Sequence, residues 1–342
     1  MTTQKAIVLQ GDGKVALVKN RPIPKLRPGY VLVNVRAVAL NPADWKHVDY
    51  LNVPGILSGC DYAGVVSEIG HGYEKPWKKG DRICGFIHGS NKLEEEDGAF
   101  AETIVAKADI QIKIPDGMSF EDAATLGVAS ITCGQGLYQS LGLSWPDQPI
   151  TTKQPILIYG GSSSMGIYGI QFAKRSGYTV LSTSSPRNFH LLKSLGADAV
   201  FDYRDSDCAA QIRKHTKDNL KLVWDCISED SSAKICTDAM ASGGVYGTIL
   251  QVNSPRDDVD VRYTLGYTCI GEPIDKIFYA KEDNSADFDY MKKFIPIAET
   301  LLHAGKIRTQ PIRVGYGLEN VIEGMDQLRK GKVSGEKLVY KL

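Results

Sequence analysis

The stretch Ile156-Leu-Ile-Tyr-Gly-Gly-Ser-Ser-Ser-Met-Gly166 runs an apolar strand into a turn of small residues and then, without a spacer, into a helix. No other stretch constrains the fold as much, because strand, tight turn and helix in that order open a parallel, doubly wound sheet. The rhythm continues downstream. Strands are predicted at residues 155–159, 178–183, 199–202, 220–226, 244–250 and 267–270, with helices over 165–176, 187–195 and 209–215. This is the βαβ alternation of parallel strands joined by crossovers.

The 342 residues suggest two domains. Up to about residue 115 the chain alternates short strand patterns (31–38, 62–69, 82–86, 100–105 and 110–114) with Gly/Pro turns, as in a compact barrel-type β domain. Ser119-Phe-Glu-Asp122 resembles a capping box and opens a helix predicted to continue towards Leu141. The last 50 or so residues, helical over about 290–304 and closing on a strand at 336–340, are expected to return to the first domain. The division is therefore 1–120, completed by 275–342, and 121–274.

Lys plus Arg and Asp plus Glu number 40 each, which argues against a dedicated nucleic-acid binder. No apolar run approaches the ~20 residues that span a bilayer, and the N-terminal residues carry no apolar signal core, so a cytoplasmic location is expected. The seven cysteines are scattered without a C-x-x-C pair and read as buried small hydrophobes. The six histidines form no ligand-spaced cluster, and no metal is expected. The run Glu94-Glu-Glu-Asp97 reads as a solvated loop.

Gly161-x-Ser163-x-x-Gly166 has dinucleotide-binding spacing with Ser for the middle Gly. Small residues are needed because backbone N–H groups must approach a pyrophosphate at a helix N-terminus. A glycine-rich turn without a ligand is the other reading. An NAD site would want an acid at the end of the second strand. Here that end reads Ser184-Ser-Pro-Arg-Asn188, with no acid, which suits a 2′-phosphate and hence NADPH. The alternative is that these residues merely cap the next helix.

Four further motifs carry a resemblance: Ala39-Leu-Asn-Pro-Ala-Asp-Trp-Lys46, Gly59-Cys-Asp-Tyr-Ala-Gly-Val-Val66, Gly80-Asp-Arg-Ile-Cys-Gly85 and Gly98-Ala-Phe-Ala-Glu102. The chain resembles the zinc-independent, quinone-oxidoreductase-like medium-chain dehydrogenase/reductases, a GroES-like β-barrel-type catalytic domain joined to a Rossmann domain. Zinc relatives carry a Cys near Asn41 and Gly-His-Glu near Gly59. Asn-Pro and Gly-Cys-Asp stand here instead. Gly89-Ser-Asn, Val200-Phe-Asp-Tyr-Arg and Val333-Ser-Gly-Glu-Lys-Leu-Val make it most similar to fungal trans-acting enoyl reductases of polyketide synthases.

That resemblance implies NADPH-dependent reduction of the C=C bond of an α,β-unsaturated acyl thioester, carrier-protein-bound on a partner polyketide synthase. It places the cofactor by Ala43, Asp44, Trp45 and Lys46, with Gly161, Ser162, Ser163, Ser164, Met165 and Gly166 at the pyrophosphate. Ser184, Ser185, Pro186, Arg187 and Asn188 would take the 2′-phosphate and Tyr203 the adenine, while Ile249, Leu250, Val333 and Ser334 lie by the nicotinamide. The acyl channel would run along Gly127, Ser130, Thr132 and Gly134 and along Ile270, Gly271, Glu272 and Ile274. Tyr50 is a candidate proton donor, with Tyr62 and solvent as rivals, and Lys46 is either catalytic or a cofactor ligand only. A free-standing quinone or alkenal reductase and a non-catalytic nucleotide-binding module are the alternatives. Residues 266–273, with two Gly and a Pro, would make a poor edge strand, so a monomer is expected.

Overall fold

The computed structural model describes residues 2–276 and 279–342. The chain divides into two compact units: Met1–Ile131 with Tyr267–Ala304 and Thr309–Leu342, and Thr132–Gly266 with Gly305–Arg308.

In the second unit, six parallel strands lie in the spatial order Ala199–Asp202, Thr179–Ser184, Pro155–Tyr159, Leu222–Asp225, Gly244–Thr248, Val259–Tyr263. In chain order that is third, second, first, fourth, fifth, sixth. It is the Rossmann arrangement, in which the direction of winding reverses between the first and fourth strands and a crevice opens at their carboxyl ends. Leu157, Leu181, Val223 and Tyr246 lie at the centre of its apolar core.

The first unit is built on a seven-stranded sheet. Its path runs Ile312–Tyr316, Lys337–Lys341, Tyr30–Ala39, Asp61–Ile69, Arg82–Phe86, Ile112–Lys113, and Thr103–Lys107 pairs with Tyr30–Ala39. The antiparallel hairpin Thr3–Gly11/Lys14–Pro22 closes at Asp12 and Gly13, both at positive φ. Ile7, Val33, Leu57, Tyr62, Phe100 and Ile104 belong to the core of this unit. All seven cysteines are buried and free. Among the described residues, no helix is long and apolar enough to cross a membrane.

Several expectations are corrected. The helix predicted from Ser119 to Leu141 is three pieces: Phe120–Ala123, Gly127–Cys133 and a π-helical Gly134–Ser140. Ser119 does cap the first piece, accepting the Asp122 N–H at 3.0 Å. The break falls where the Val128 N–H donates to Asp61 at 2.6 Å, a tertiary bond that no local pattern announces. Residues 267–270 are not a strand but part of the 3₁₀ turn Gly266–Ile270. The sixth strand is Val259–Tyr263, whose sequence alternates apolar and polar residues over only five positions. The edge of the parallel sheet is therefore this strand, and the argument for a monomer from residues 266–273 loses its basis. The helix Pro42–Tyr50 was also not foreseen.

The acidic run is only partly solvated. Asp97 is buried and accepts from the Arg27 guanidinium and, at 3.0 Å, from Asn91 Nδ2. Burial pushes its carboxyl up to about 6, against the pull of Arg27.

Candidate active site

Strand Pro155–Tyr159 leaves the sheet at Gly160, whose φ of 75° is a left-handed conformation open to glycine. The Gly160 and Gly161 N–H groups donate to Oγ1 and O of Thr183 at 3.0 and 2.9 Å, fastening the turn to the end of the second strand. Ser163 caps the helix Ser164–Arg175, its Oγ accepting from the Gly166 N–H at 3.1 Å. A Cβ on Gly166 would overlap the Gly160 carbonyl, so glycine is what brings the helix start against the turn. Ser162, Ser163 and Ser164 are half-buried, Met165 and Gly166 buried. With no acid in the first turn, the positive end of a 12-residue helix is left for an anion.

At the end of the second strand, Ser184 is buried and donates to the Ser185 carbonyl at 3.1 Å. The 3₁₀ turn Pro186–Asn188 follows, with Arg187 exposed and Asn188 half-buried. Among the described residues, Asn188 Nδ2 is buried without a partner. A guanidinium, an unsatisfied amide and the Ser185 hydroxyl in one turn are the donors that a phosphate monoester needs. The residues fit NADP. Tyr203, exposed, follows the third strand, whose last residue Asp202 is taken up by Arg204 at 2.6 Å.

Sequence reasoning missed the support beneath Ile249 and Leu250. Asp225, fully buried at the end of the fourth strand, accepts from Ile227 N and Ser228 N at 2.9 Å each, Ser232 Oγ at 2.6 Å and Tyr246 OH at 2.7 Å. Ser228, at a φ of 58°, donates to the Asp225 carbonyl and accepts from Ile249 N at 3.0 Å. One carboxylate thus fixes the loops after the fourth and fifth strands. The available signal was an acid closing the apolar run Leu222-Val-Trp.

In the first unit, Asn41 and Asp44 form a capping box on the helix Pro42–Tyr50, and Asp44 Oδ2 accepts from Asn41 N at 2.7 Å. Asp44 is fully buried, whereas Ala43, Trp45 and Lys46 are half-buried and Tyr50, the last helical residue, is 59% exposed. Lys46 and Arg329 lie over the Trp45 ring. The Tyr62 hydroxyl is buried and donates to Gln111 Oε1 at 2.9 Å.

Burial pushes the Asp44 carboxyl up to about 7, against the Asn41 N–H bond and with the neighbouring Asp61 adding to the rise. A folded-state value above the unfolded one means stability that is full below about pH 4 and lost as pH rises through about 7. Asp44→Asn is therefore expected to raise the melting temperature relative to wild type at pH 8 and to leave it unchanged at pH 4. A difference independent of pH would contradict this.

Gly127 and Ser130 are buried in the helix Gly127–Cys133, Thr132 is half-buried, and the buried Gly134 opens the π-helical turn. Ile270 and Ile274 are buried and Gly271 half-buried, while Glu272 accepts from Tyr30 OH at 2.6 Å and pairs with Lys107 at 2.8 Å. Val333 packs on the core of the first unit and Ser334 is exposed. At the positions compared with zinc ligands, Asn41 Nδ2 donates to Asp61 Oδ2, and burial holds the Cys60 thiol well above its usual value. Among the described residues, no three His, Cys, Asp or Glu side chains converge as a metal site.

Residues 27–116 match the alcohol dehydrogenase GroES-like domain and residues 164–262 the zinc-binding dehydrogenase family. The chain is 55% identical over 273 residues to the trans-enoyl reductase TOXD of Cochliobolus carbonum, covering 80% of this chain and 92% of that one. It is 45% identical over 356 residues to the trans-enoyl reductase resD of Aspergillus sclerotiorum, covering 99% and 100%. An alcohol dehydrogenase superfamily protein from Novosphingobium aromaticivorans shares the fold across the full length of both chains, with a TM-score of 0.82 at 21% identity.

Proposed function

The chain belongs to the trans-enoyl reductases, and from that premise we propose that it reduces the C=C bond of an α,β-unsaturated acyl thioester with NADPH. The thioester arrives on the carrier protein of a separate polyketide synthase. The observation that carries the cofactor choice is the acid-free turn Ser185-Pro-Arg-Asn188 with its unsatisfied Asn188 amide. When bound, NADPH supplies a hydride from its nicotinamide C4 to the substrate β-carbon.

The remaining work falls to this chain's own residues. The start of helix Ser164–Arg175 holds the pyrophosphate, and Ser185, Arg187 and Asn188 hold the 2′-phosphate. Ile249 and Leu250 line the nicotinamide side, kept in place through the Ser228–Ile249 bond. Trp45, Lys46, Val333 and Ser334 complete the cofactor contacts, and the segments 127–134 and 270–274 take the acyl chain.

The test follows NADPH oxidation with crotonyl and 2-methylcrotonyl thioesters, against a quinone and an alkenal, with and without EDTA. Thioester reduction insensitive to EDTA is expected. Turnover of the quinone or alkenal alone would replace the reading with a small-molecule reductase, and NADPH binding without any turnover would point to a nucleotide-binding module. Arg187→Ala is expected to weaken NADPH binding about 10- to 100-fold, a charge-assisted contribution of roughly 1.5–3 kcal/mol, and to leave NADH binding unchanged. Fluorescence titration with both cofactors decides, and parallel losses would refute the assignment of Arg187.

A further inference from the structure

Tyr267 lies in the 3₁₀ turn Gly266–Ile270, immediately before the segment proposed to take the acyl chain. Its hydroxyl is 3.0 Å from His47 Nε2. Its ring is tilted against those of His47, Phe86 and His88, with centroids 5.7, 5.8 and 4.9 Å away. The Lys276 ammonium lies 4.6 Å from the centre of the same ring. Phe86, His88 and Ile270 also line a small cavity of about 10 Å³, room for a single water.

Lys276 is buried and donates to the Gly89 and Ser90 carbonyls at 2.8 and 2.7 Å. Ser90 holds a φ of 56°, a left-handed conformation unfavourable for a non-glycine residue that survives only where its surroundings impose it. Here it helps to seat a buried cation beside a phenol. Among the described residues, His47 Nδ1 and both His88 ring nitrogens are buried without partners. Burial, and then the Lys276 charge, hold both imidazoles well below their ordinary range, so both are neutral at pH 7.

A neutral His47 has one N–H. On Nδ1 it would be a buried donor with no acceptor, which proteins avoid more strictly than a bare lone pair. The favoured tautomer therefore carries the proton on Nε2 and donates it to the Tyr267 oxygen. The phenol O–H is then directed to a different acceptor. We propose that Tyr267 is the acid that protonates the substrate α-carbon, with His47 and Lys276 as positioning residues that stabilise its phenolate. The proposal rests on the enoyl reductase reading above.

The step balances. Hydride adds to the β-carbon, the C=C π pair moves to the α-carbon and thioester oxygen, and the α-carbon forms a C–H bond with the phenolic proton. The O–H electron pair stays on Tyr267 as phenolate, held by the His47 N–H and by the charge of protonated Lys276 over its ring, an ammonium whose pKa burial lowers to about 7. Solvent returns the proton once the product has left. Net consumption is one NADPH and one proton. The titratable groups acting on this set are His47, His88 and Lys276, with Cys60, Asp97, Lys92 and Asp44 acting through Lys276.

The test uses the full chain with NADPH and a 2-methyl-branched enoyl thioester, reading kcat, KM, NADPH binding and the configuration at the product α-carbon. Tyr267→Phe removes one oxygen and is expected to lower kcat about 100-fold, the low end of general acid catalysis, with NADPH binding and KM within a factor of three. The product is expected to lose its single α-configuration, because solvent then protonates either face. His47→Gln, whose amide can still donate to the phenol, is expected to retain the configuration at a smaller loss of kcat. An active wild type whose Tyr267→Phe variant keeps both kcat and configuration overturns the inference alone. A wild type inactive on every thioester overturns the reductase reading and this inference with it.

Discussion

Replacing Lys337 with methionine is expected to lower the unfolding free energy by about 3–5 kcal/mol, because a buried charge would lose its counterion. Lys337 and Asp61 are 2% and 0% exposed, with Lys337 Nζ 2.6 Å from Asp61 Oδ2. The ammonium also donates to Asn41 Oδ1 at 2.8 Å, and Asn41 Nδ2 in turn donates to Asp61 Oδ2 at 2.8 Å. With the Val128 N–H on Oδ1, the carboxylate is fully coordinated, and removing the lysine leaves the negative charge in place without its cation. The double variant Lys337→Met with Asp61→Asn is expected to recover most of the loss, since neither charge then remains. Urea unfolding of the two variants reads the difference. A single variant that loses less than about 1 kcal/mol would show that the pair is better solvated than its burial implies.

Asp225→Ala is expected to cost about 4 kcal/mol or more. It strands three buried donors (two backbone N–H groups and the Tyr246 hydroxyl) at roughly 1–3 kcal/mol each, less whatever water recovers, while the Ser232 hydroxyl can turn to the Glu229 carbonyl at 2.9 Å. Asp225→Asn should cost much less. Its carbonyl can still accept from Ile227 and Ser228, and the two hydroxyls can rotate to accept from the new amide. NADPH binding is expected to weaken in the alanine variant beyond the loss of folded protein, because Ser228 no longer holds Ile249. Equal effects of Ala and Asn, by denaturation and cofactor titration, would refute this account.

What could be read from the sequence follows the range of the interactions. The turn after the first parallel strand, the serine cap at Ser163 and the acid-free end of the second strand are local, and each has a residue signature within a dozen positions. Strand Val259–Tyr263 carries a short local signature, the alternation Val-Asp-Val-Arg-Tyr, but its sheet-edge place, with Asp260, Val261 and Arg262 exposed, is set by the pairing with Gly244–Thr248. The helix break before Gly127 depends on Asp61, 67 residues from Val128. Tyr267 had nothing to distinguish it among 16 tyrosines. Its partner His47 is 220 residues away, and Lys276 acquires its meaning only from the carbonyls of Gly89 and Ser90. Tyr50 is a candidate through the resemblance alone, a one-dimensional cue that says nothing of what a phenol touches.

The strand Lys337–Lys341 has a further significance. It pairs with Tyr30–Ala39 on one side and Ile312–Tyr316 on the other, and it begins with Lys337, the counterion of Asp61. The second unit draws on no residue beyond Arg308, whereas without Lys337–Lys341 the first unit has an open sheet edge and an unmatched buried acid. Until Lys337–Lys341 is in place, the first unit is therefore the part most exposed to proteases and to mispairing with neighbouring chains. Chains truncated before residue 337 should be cut by protease within the first unit while the second resists.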